Sequence, residues 1–347
     1  MTLNDRINAL VQLGKYLLNP DDDALENVMQ RAEAENGWFT VSNQKQAIKE
    51  IAEQFLDDDK LRDWLKGYTI SDSPSQKIVA LILAGNIPLV GFHDMLCVFI
   101  CGYKARIKLS DKDSALLPFL LLKLVELDAR TKIFFEVSEG PIRDINAIIA
   151  TGSNNSSRYF EAYFSKYPNI IRRNRTAVAV LNGAESTADL AHLRDDVINY
   201  FGLGCRNVSH IMVPNGYDFT HLLDVFHEEK KLVDHNKFKN NFDYASSIML
   251  LNLVPHLVTA SALLTENSSL SSPIAVLHYS FYTNLDEVNY TLEQKKDSIQ
   301  LVVSNENLRF SPVFKFGVAQ SPKLNDYADG VDTMAFLTGL FQKTLIS

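Results

Sequence analysis

Apolar and polar residues follow two different patterns along the chain. Through the first 65 residues, apolar side chains recur at helical spacing, as in the stripe of Leu3, Ile7 and Leu10 and a second stripe over 43–56. From residue 76 the pattern changes to short apolar runs bounded by turn-forming residues. The runs predicted to be strands are 77–85, 105–110, 132–137, 146–152, 177–183, 207–214, 274–282 and 298–304.

Longer segments between these runs carry helix signals. The segments predicted to be helical are 88–102, 113–127, 158–164, 186–201 and most of 218–265. The first of them opens with Pro88, which a helix tolerates in its first turn. Strands and helices that alternate with short connections are typical of parallel sheets covered by helices on both faces. The sequence therefore predicts an α/β fold with a helical N-terminus and two domains that meet near residue 183.

Composition and charge limit the classes of partner. The 347 residues carry a net charge of −8, so the chain has no overall basic field with which to hold nucleic acid. The most apolar stretches, 78–101 and 115–127, are interrupted by polar or charged residues, which argues against a membrane span. Three cysteines are too few for a disulfide framework. These features predict a soluble protein of the reducing cytoplasm.

The segment 201–205, Phe-Gly-Leu-Gly-Cys, places Cys205 between a predicted helix and a predicted strand. Gly202 and Gly204 favour a tight turn there. A nucleophilic cysteine needs such a position, because substrate must approach the sulfur and backbone N–H groups must be available to an oxyanion. A free cysteine is also among the most buried of residues. A nucleophile and a small core side chain are therefore equally weighted interpretations of Cys205.

Two other turns follow predicted strands, at the edge where open α/β sheets bind ligands. In the turn Gly-Asn-Ile-Pro, Asn86 can donate a hydrogen bond to an oxyanion, although asparagine is also common in purely structural turns. In the segment 150–158, Gly152 and Ser153 precede a helix whose N-terminus can hold a phosphate. Ser153 is equally suited to be a helix N-cap. Each turn alone is a weak indication of a ligand site.

Lys108 and two cysteines complete the candidate chemistry. Lys108 ends a predicted strand and can reach a ribose or a phosphate, or remain a surface charge. Cys97 and Cys101 lie four residues apart on one predicted helix, without a partner pair at zinc-binding spacing. We interpret these two cysteines as helix core and predict no metal site.

Taken in order, these segments resemble the aldehyde dehydrogenase superfamily, and within it the acyl-CoA reductase (LuxC-like) branch. The resemblance covers about residues 77–215 and extends more loosely to the C-terminus. It is carried by the asparagine turn Gly-Asn-Ile-Pro-Leu at 85–89, the strand Arg-Ile-Lys-Leu-Ser at 106–110, the turn Ala-Thr-Gly-Ser-Asn-Asn-Ser at 150–156, and the helix, cysteine loop and strand over 186–214.

The resemblance implies an aldehyde dehydrogenase-like fold with a defined order of parts. The parts are a helical segment at 1–65, a Rossmann-type parallel-sheet domain for the nicotinamide cofactor at 66–183, a second α/β domain with the nucleophile at 184–310, and a segment at 311–347 that returns to the cofactor domain. It also implies individual roles. Cys205 becomes the acyl-accepting nucleophile, Asn86 an oxyanion donor, and Lys108, Gly152 and Ser153 contacts of NADPH or NADH.

One departure from the family pattern indicates the direction of the reaction. Where hydrolytic members carry a glutamate base, this chain has Ile171 or Arg172. Without that base, water is poorly activated to attack a thioacyl enzyme, and the intermediate remains available for hydride. This favours NAD(P)H-dependent reduction of an acyl-CoA, a fatty acyl-CoA above all, to the aldehyde through a thioacyl intermediate on Cys205.

Alternatives remain open from the sequence. The same cysteine would serve a reductase of an acyl phosphate or of an acyl group on a carrier protein. The short chain, and the absence of a second glycine from the turn at 150–156, also suit a non-catalytic partner that keeps the fold. The sequence does not determine the oligomeric state. By analogy with relatives that pair through a strand, 132–145 could serve a homo-oligomer, and a complex with an acyl-transferring partner is also open.

Overall fold

The computed structural model describes residues 1–21 and 23–342, and the chain divides into two compact units. Unit 1 comprises Met1–Asn174 and the chain from Pro322 onward, and unit 2 comprises Arg175–Ser321. The two boundaries between the units differ from the domain boundaries predicted after residues 183 and 310. The reason is that the strands at 176–180 and 313–314 pair within the sheet of unit 2. Residues 343–347 of the predicted C-terminal segment lie outside the described residues.

Four helices form the N-terminal part of unit 1. They are α1 Leu3–Leu18, α2 Ala24–Glu35, α3 Val41–Glu50 and α4 Asp58–Leu65, with a π-helical turn at Ile51–Phe55. The side chains of Thr2, Thr40 and Asp57 cap three of them by accepting a hydrogen bond from a first-turn N–H. Arg6 is buried and donates to the carbonyl oxygen of Ile100 at 3.0 Å. The predicted helical N-terminus is thereby confirmed, and it shares one core with the sheet that follows.

A five-stranded parallel sheet is the centre of unit 1. Its strands are β1 Ile78–Ile82, β2 Lys104–Lys108, β3 Phe135–Val137, β4 Ala147–Thr151 and β5 Asn169–Arg172, in the order β3-β2-β1-β4-β5. The helices of this unit after α4 are α5 Phe92–Ile100, α6 Leu116–Leu127, α7 Asn154–Phe164 and the C-terminal α12 Thr333–Gln342. The predicted strand at 132–137 is wrong in its first half, which lies in a 3-10 turn begun by a side-chain cap from Asp128. Strand β5 was not predicted, since its ends are polar.

A seven-stranded sheet is the centre of unit 2. Its strands are β6 Thr176–Val180, β7 Val208–Pro214, β8 Leu257–Val258, β9 Leu263–Glu266, β10 Val276–Tyr282, β11 Ile299–Ser304 and β12 Val313–Phe314, in the order β12-β11-β6-β7-β10-β9-β8. All neighbours are parallel except β8 and β9. The helices are α8 Thr187–Ile198, α9 Thr220–His227, α10 Asn236–Leu251 and α11 Leu285–Gln294. The helical prediction for 218–265 is wrong at its end, where β8 and β9 form an edge hairpin.

Among the residues that the structure describes, no helix combines the length and the apolar character required to cross a bilayer.

A buried ion pair joins three elements of unit 1. Arg172, the last residue of β5, forms two hydrogen bonds to Asp94 in the first turn of α5, one of them at 2.8 Å from Nη2 to Oδ1. Its Nη2 also donates to the hydroxyl of Thr333, the first residue of α12, at 3.1 Å. All three side chains are buried. The C-terminal helix is therefore attached to the first sheet through a charge that water does not reach.

Loss of this pair has a predictable effect on stability. The substitution Asp94→Ala leaves the Arg172 guanidinium buried without its counter-charge, so the free energy of unfolding should fall by about 3–5 kcal/mol. Both tryptophans, Trp38 and Trp64, belong to unit 1, so tryptophan fluorescence during urea unfolding measures this change.

The neighbouring arginine supplies a matched control. Arg173 forms an ion pair with Glu161 in which both side chains are exposed. Because water and salt screen such pairs, Glu161→Ala should leave the urea midpoint almost unchanged. Equal shifts in the two variants would contradict the assigned importance of the buried pair.

Candidate active site

Two turns and the end of a third strand lie at one edge of the first sheet. Its strand order, β3-β2-β1-β4-β5, reverses direction between β1 and β4, and ligands of open α/β sheets bind at the carboxyl ends of strands beside such a reversal. Asn86 lies on the turn after β1, Gly152 and Ser153 follow β4, and Lys108 ends β2. The fold therefore places four of the five residues predicted for the site along one edge of unit 1.

The residues along this edge differ in exposure and in their contacts with helix α7. Lys108 is exposed and lies beside Ile82 in the strand register. Gly152 packs tightly on α7, since an added Cβ would lie 2.8 Å from Phe160 and 2.9 Å from Ser156. The hydroxyl of Ser153 accepts a hydrogen bond from the backbone N–H of Ser156 at 3.1 Å, and so acts as the N-cap of α7. Gly152 and Ser153 thus shape the turn before a helix N-terminus.

A buried carboxylate holds the turn that carries Asn86. Asp113 accepts a hydrogen bond from the backbone N–H of Leu89 at 2.9 Å, and Leu89 has a positive φ of 56°. The second oxygen of Asp113 has no hydrogen-bond partner among the described residues. Burial raises the pKa of Asp113 to about 6, against the opposing effect of the Leu89 hydrogen bond. No local pattern marks Asp113, because its hydrogen-bond partner Leu89 lies 24 positions earlier in the chain.

Cys205 lies in the second unit, on the turn between α8 and β7. It is partly exposed, whereas Cys97 and Cys101 are completely buried. Burial raises the pKa of the Cys101 thiol to about 12 and that of Cys97 well above its ordinary value. A thiol that cannot ionise is a poor nucleophile. Of the three cysteines, Cys205 is the partly exposed one, and the other two are core residues, as predicted.

The buried side chain of Asn207 holds the turn that carries Cys205. Its Oδ1 accepts from the backbone N–H of Gly204 at 2.8 Å, and its own backbone N–H donates to the carbonyl oxygen of Gly204 at 3.1 Å. Its Nδ2 donates to the carbonyl oxygens of Asp196, Val197 and Asn199 at 3.1, 3.3 and 2.8 Å. One amide thus closes the cysteine turn and also satisfies the end of helix α8.

The backbone just before the turn has an unusual conformation. Tyr200, Phe201 and Gly202 have consecutive positive φ values of 52°, 57° and 74°. Residues other than glycine rarely adopt this left-handed conformation, which costs about 1–2 kcal/mol for each of them. Tyr200 and Phe201 are nevertheless buried. The surrounding structure therefore imposes this path, as is common near functional sites.

The loop that contains Gly317 and Ala319 forms hydrogen bonds with residues on both sides of the cysteine turn. Buried Asp196 of α8 accepts from the backbone N–H groups of Gly317 and Ala319 at 2.7 and 3.1 Å. Arg206, next to Cys205, donates to the carbonyl oxygen of Ala319, and its guanidinium lies 5.1 Å from the centre of the Phe314 ring. Burial raises the pKa of Asp196 to about 6, partly offset by the two backbone N–H donors. The turn is thus fixed on both sides.

No group of three histidine, cysteine, aspartate or glutamate residues is placed to hold a metal ion in the part of the chain that the structure describes.

Comparison with solved structures identifies the fold. A variant of aldehyde dehydrogenase C from Pseudomonas syringae, solved with NAD+ and octanal, aligns at a TM-score of 0.65 with 13% identity, over 88% of this chain and 73% of that one. An oxidoreductase from Marinobacter aquaeolei aligns at 0.68 with 10% identity, over 97% and 84%. An NAD-dependent aldehyde dehydrogenase from Sinorhizobium meliloti aligns at 0.63 with 12% identity, over 88% and 70%. No protein-family model and no curated protein matches the chain.

The chain therefore has an aldehyde dehydrogenase-like α/β fold, and the predicted fold class is confirmed. The acyl-CoA reductase branch stays a prediction, because identities of 10–13% define the fold alone.

The role of Asn207 can be tested by truncation. Asn207→Ala removes the partner of the Gly204 N–H and of three carbonyl groups, so the free energy of unfolding of unit 2 should fall by about 1–3 kcal/mol. Alkylation of Cys205 by iodoacetamide should also become faster, because the turn opens more often. Unfolding followed by circular dichroism and mass spectrometry of the alkylated cysteines measure the two effects.

The two buried cysteines and a second asparagine serve as controls for this experiment. Cys97 and Cys101 lie in unit 1 and should stay protected in the variant. Asn252 makes one amide-to-carbonyl hydrogen bond of 2.9 Å at an exposed helix end, so Asn252→Ala should change stability by less than about 0.5 kcal/mol. An Asn207 variant as stable as the Asn252 variant would contradict the assignment.

The raised pKa of Asp113 predicts that the stability of the protein depends on pH. Its folded pKa of about 6 lies above the ordinary 3.8, so burial favours the protonated acid, and this contribution is present below pH 4 and is lost as the pH rises through 6. Asp113→Asn keeps an acceptor for Leu89 but removes the charge. The variant should be more stable than the wild type at pH 7, by on the order of 2–3 kcal/mol, and similar to it at pH 4. Urea unfolding followed by tryptophan fluorescence at both pH values measures this difference; a constant difference would contradict the assignment.

Proposed function

We propose that the chain is an NAD(P)H-dependent reductase that converts an acyl-CoA thioester, of the fatty acyl type, into the aldehyde. The observation that carries this proposal is the position of Cys205. It is the partly exposed cysteine, on an irregular turn fixed by buried hydrogen bonds, in a chain with an aldehyde dehydrogenase-like fold. Covalent catalysis by such a thiol divides one difficult displacement into two easier steps.

In the first step the Cys205 thiolate attacks the thioester carbonyl. A new sulfur–carbon bond forms, the bond from the carbonyl carbon to the CoA sulfur breaks, and the CoA thiolate leaves with the electron pair. The oxyanion that forms before this bond breaks needs hydrogen-bond donors. We assign these to the backbone N–H of Cys205 and the side-chain amide of Asn86. One such donor contributes a factor of about 10² or more to the rate.

The edge of the first sheet suits a nicotinamide cofactor, NADPH or NADH. Helix α7 has no acidic residue in its first turn, so its N-terminus offers a positive end to a pyrophosphate. Gly152 allows the backbone to lie close to this helix, and exposed Lys108 is available to a ribose or phosphate. When bound, the cofactor supplies the hydride that reduces the thioacyl group. We assign Lys108, Gly152 and Ser153 to its binding.

The position that holds a base in hydrolytic relatives supports reduction over hydrolysis. Ile171 or Arg172 stands there, at the end of β5, and Arg172 is buried and paired with Asp94. An isoleucine side chain has no polar group, and an arginine side chain has donors only and remains protonated, so neither can take a proton from water. A thioacyl enzyme in this chain therefore has no activated water from that position, which leaves it available to hydride.

Labelling without cofactor tests the covalent step. Wild-type protein incubated with radiolabelled acyl-CoA should retain label after denaturation, and Cys205→Ala should retain none. Cys97→Ala is the matched control, since that thiol is buried and its removal should leave labelling intact. Asn86→Ala should slow labelling by about 10²-fold if the amide holds the oxyanion. Equal labelling of wild type and Cys205→Ala would end the proposal.

The same experiment separates the alternatives. An acyl phosphate or an acyl carrier protein that labels Cys205 faster than acyl-CoA would change the substrate and keep the nucleophile. A fluorescence titration in which neither NADPH nor NADH binds, together with no labelling, would indicate a non-catalytic partner protein.

A further inference from the structure

The turn that carries Cys205 is preceded directly by another turn. In that first turn, the backbone N–H of Leu203 donates to the carbonyl oxygen of Tyr200 at 3.1 Å. The two residues between them, Phe201 and Gly202, have positive φ values of 57° and 74°. Two central residues with positive φ are typical of type I′ turns, in which glycine, asparagine and aspartate are preferred. The cysteine turn begins at the next residue, so the first turn sets the direction in which the chain enters it.

Two side chains at the start of α10 support Phe201 in this conformation. Its ring stacks on the imidazole of His235, with ring centres 4.3 Å apart and an angle of 28° between the planes. The ring of Phe238 lies 6.0 Å from it, tilted by 37°. Aromatic rings in such arrangements attract each other beyond the effect of buried area. Phe201 and Phe238 are buried, whereas His235 is partly exposed. A phenylalanine therefore persists where glycine is usual, because the start of α10 holds its ring.

The hydrogen bond at the N-terminus of α10 involves the same imidazole. Nδ1 of His235 accepts from the backbone N–H of Phe238 at 3.2 Å, which makes His235 the N-cap of the helix. An accepting Nδ1 requires the neutral ring, with its hydrogen on Nε2. His235 therefore has two separable contacts, a cap bond made by one ring nitrogen and a stack made by the face of the ring. The cap bond stabilises α10, and the stack reaches the backbone just before the cysteine turn.

We propose that His235 is a positioning residue for Cys205. Its stacked ring keeps Phe201 in the left-handed conformation, and the turn at 200–203 then holds the turn at 204–207 in one orientation. The inference rests on the proposed function, in which the sulfur must meet an acyl carbonyl. Displacement of a reacting group by about 1 Å can cost a factor of about 10² in rate. A small alkylating reagent, by contrast, needs only an exposed thiolate.

Two substitutions separate the two contacts of His235. His235→Asn keeps a favourable N-cap and removes the ring. Its stability should stay near that of the wild type, while acylation of Cys205 should slow by about tenfold or more. His235→Phe keeps a stacking ring and removes the acceptor of the cap bond. This variant should unfold at a lower urea concentration, while its acylation rate should stay close to that of the wild type.

Acylation by p-nitrophenyl acetate measures the effect without CoA or a nicotinamide. The Cys205 thiolate attacks the ester carbonyl, the sulfur–carbon bond forms, the bond from the carbonyl carbon to the phenolic oxygen breaks, and p-nitrophenolate leaves with the electron pair as a coloured burst. Cys205→Ala gives the background. Alkylation of Cys205 by iodoacetamide, followed by mass spectrometry, reports the exposure of the thiol in the same proteins. The ratio of acylation rate to alkylation rate should fall by about tenfold or more in His235→Asn alone.

A second N-cap of unit 2 supplies the matched control. Asn284 caps α11 by accepting from the backbone N–H of Glu287 at 3.0 Å. Asn284→Ala and His235→Phe each remove one cap bond, so both should lower the urea midpoint of unit 2. Neither should change the ratio of acylation to alkylation. Circular dichroism follows the unfolding and verifies that each variant is folded before the rates are measured.

The outcomes separate this inference from the proposed function. A wild-type ratio in His235→Asn would overturn the positioning role even if acyl-CoA is reduced. The same fall in His235→Phe or in Asn284→Ala would also overturn it, because the effect would then follow the loss of a cap and not the loss of the ring. The expected pattern without reduction of any thioester would support the positioning role and overturn the reductase. No burst in the wild type would overturn the positioning role, because the thiol would then accept no acyl group.

Discussion

The candidate chemistry of this chain depends on one buried amide. Cys205 lies on an irregular turn between α8 and β7, and the side chain of Asn207 ties this turn to the end of α8. Because that amide also bonds to the carbonyl groups at the end of α8, the cysteine turn cannot move without disturbing the helix. Cys205 is partly exposed on this turn.

The Asn207 hydrogen bonds also help to explain why Tyr200 and Phe201 keep a strained backbone conformation. Tyr200 and Phe201 together cost on the order of 2–4 kcal/mol in the left-handed conformation. Buried hydrogen bonds of the Asn207 amide and the burial of both aromatic rings offset this cost. This left-handed stretch leads the chain from the end of α8 into the turn that carries Cys205 and on to β7.

Local pattern was sufficient to predict the α/β fold, because apolar runs, turn residues and alternation of elements are properties of neighbouring residues. It also indicated Cys205, two turns at the edge of the first sheet and Lys108 at a strand end. It failed where distant residues decide the outcome. Arg172 is charged in sequence but buried in the structure, since its partner Asp94 lies 78 positions earlier. The strands β8 and β9 form an edge hairpin that helical spacing obscured.

In each unit, one buried acid holds a loop that carries or adjoins a predicted site residue. Asp113 accepts from the backbone of the Asn86 loop, and Asp196 accepts from the backbone of the loop beside Arg206. Neither carboxylate is compensated as Asp94 is by Arg172, and burial raises the pKa of both to about 6. A charged acceptor binds backbone N–H groups more strongly than a neutral one, but it is costly to bury. Near neutral pH each acid therefore trades some stability for a loop of fixed shape.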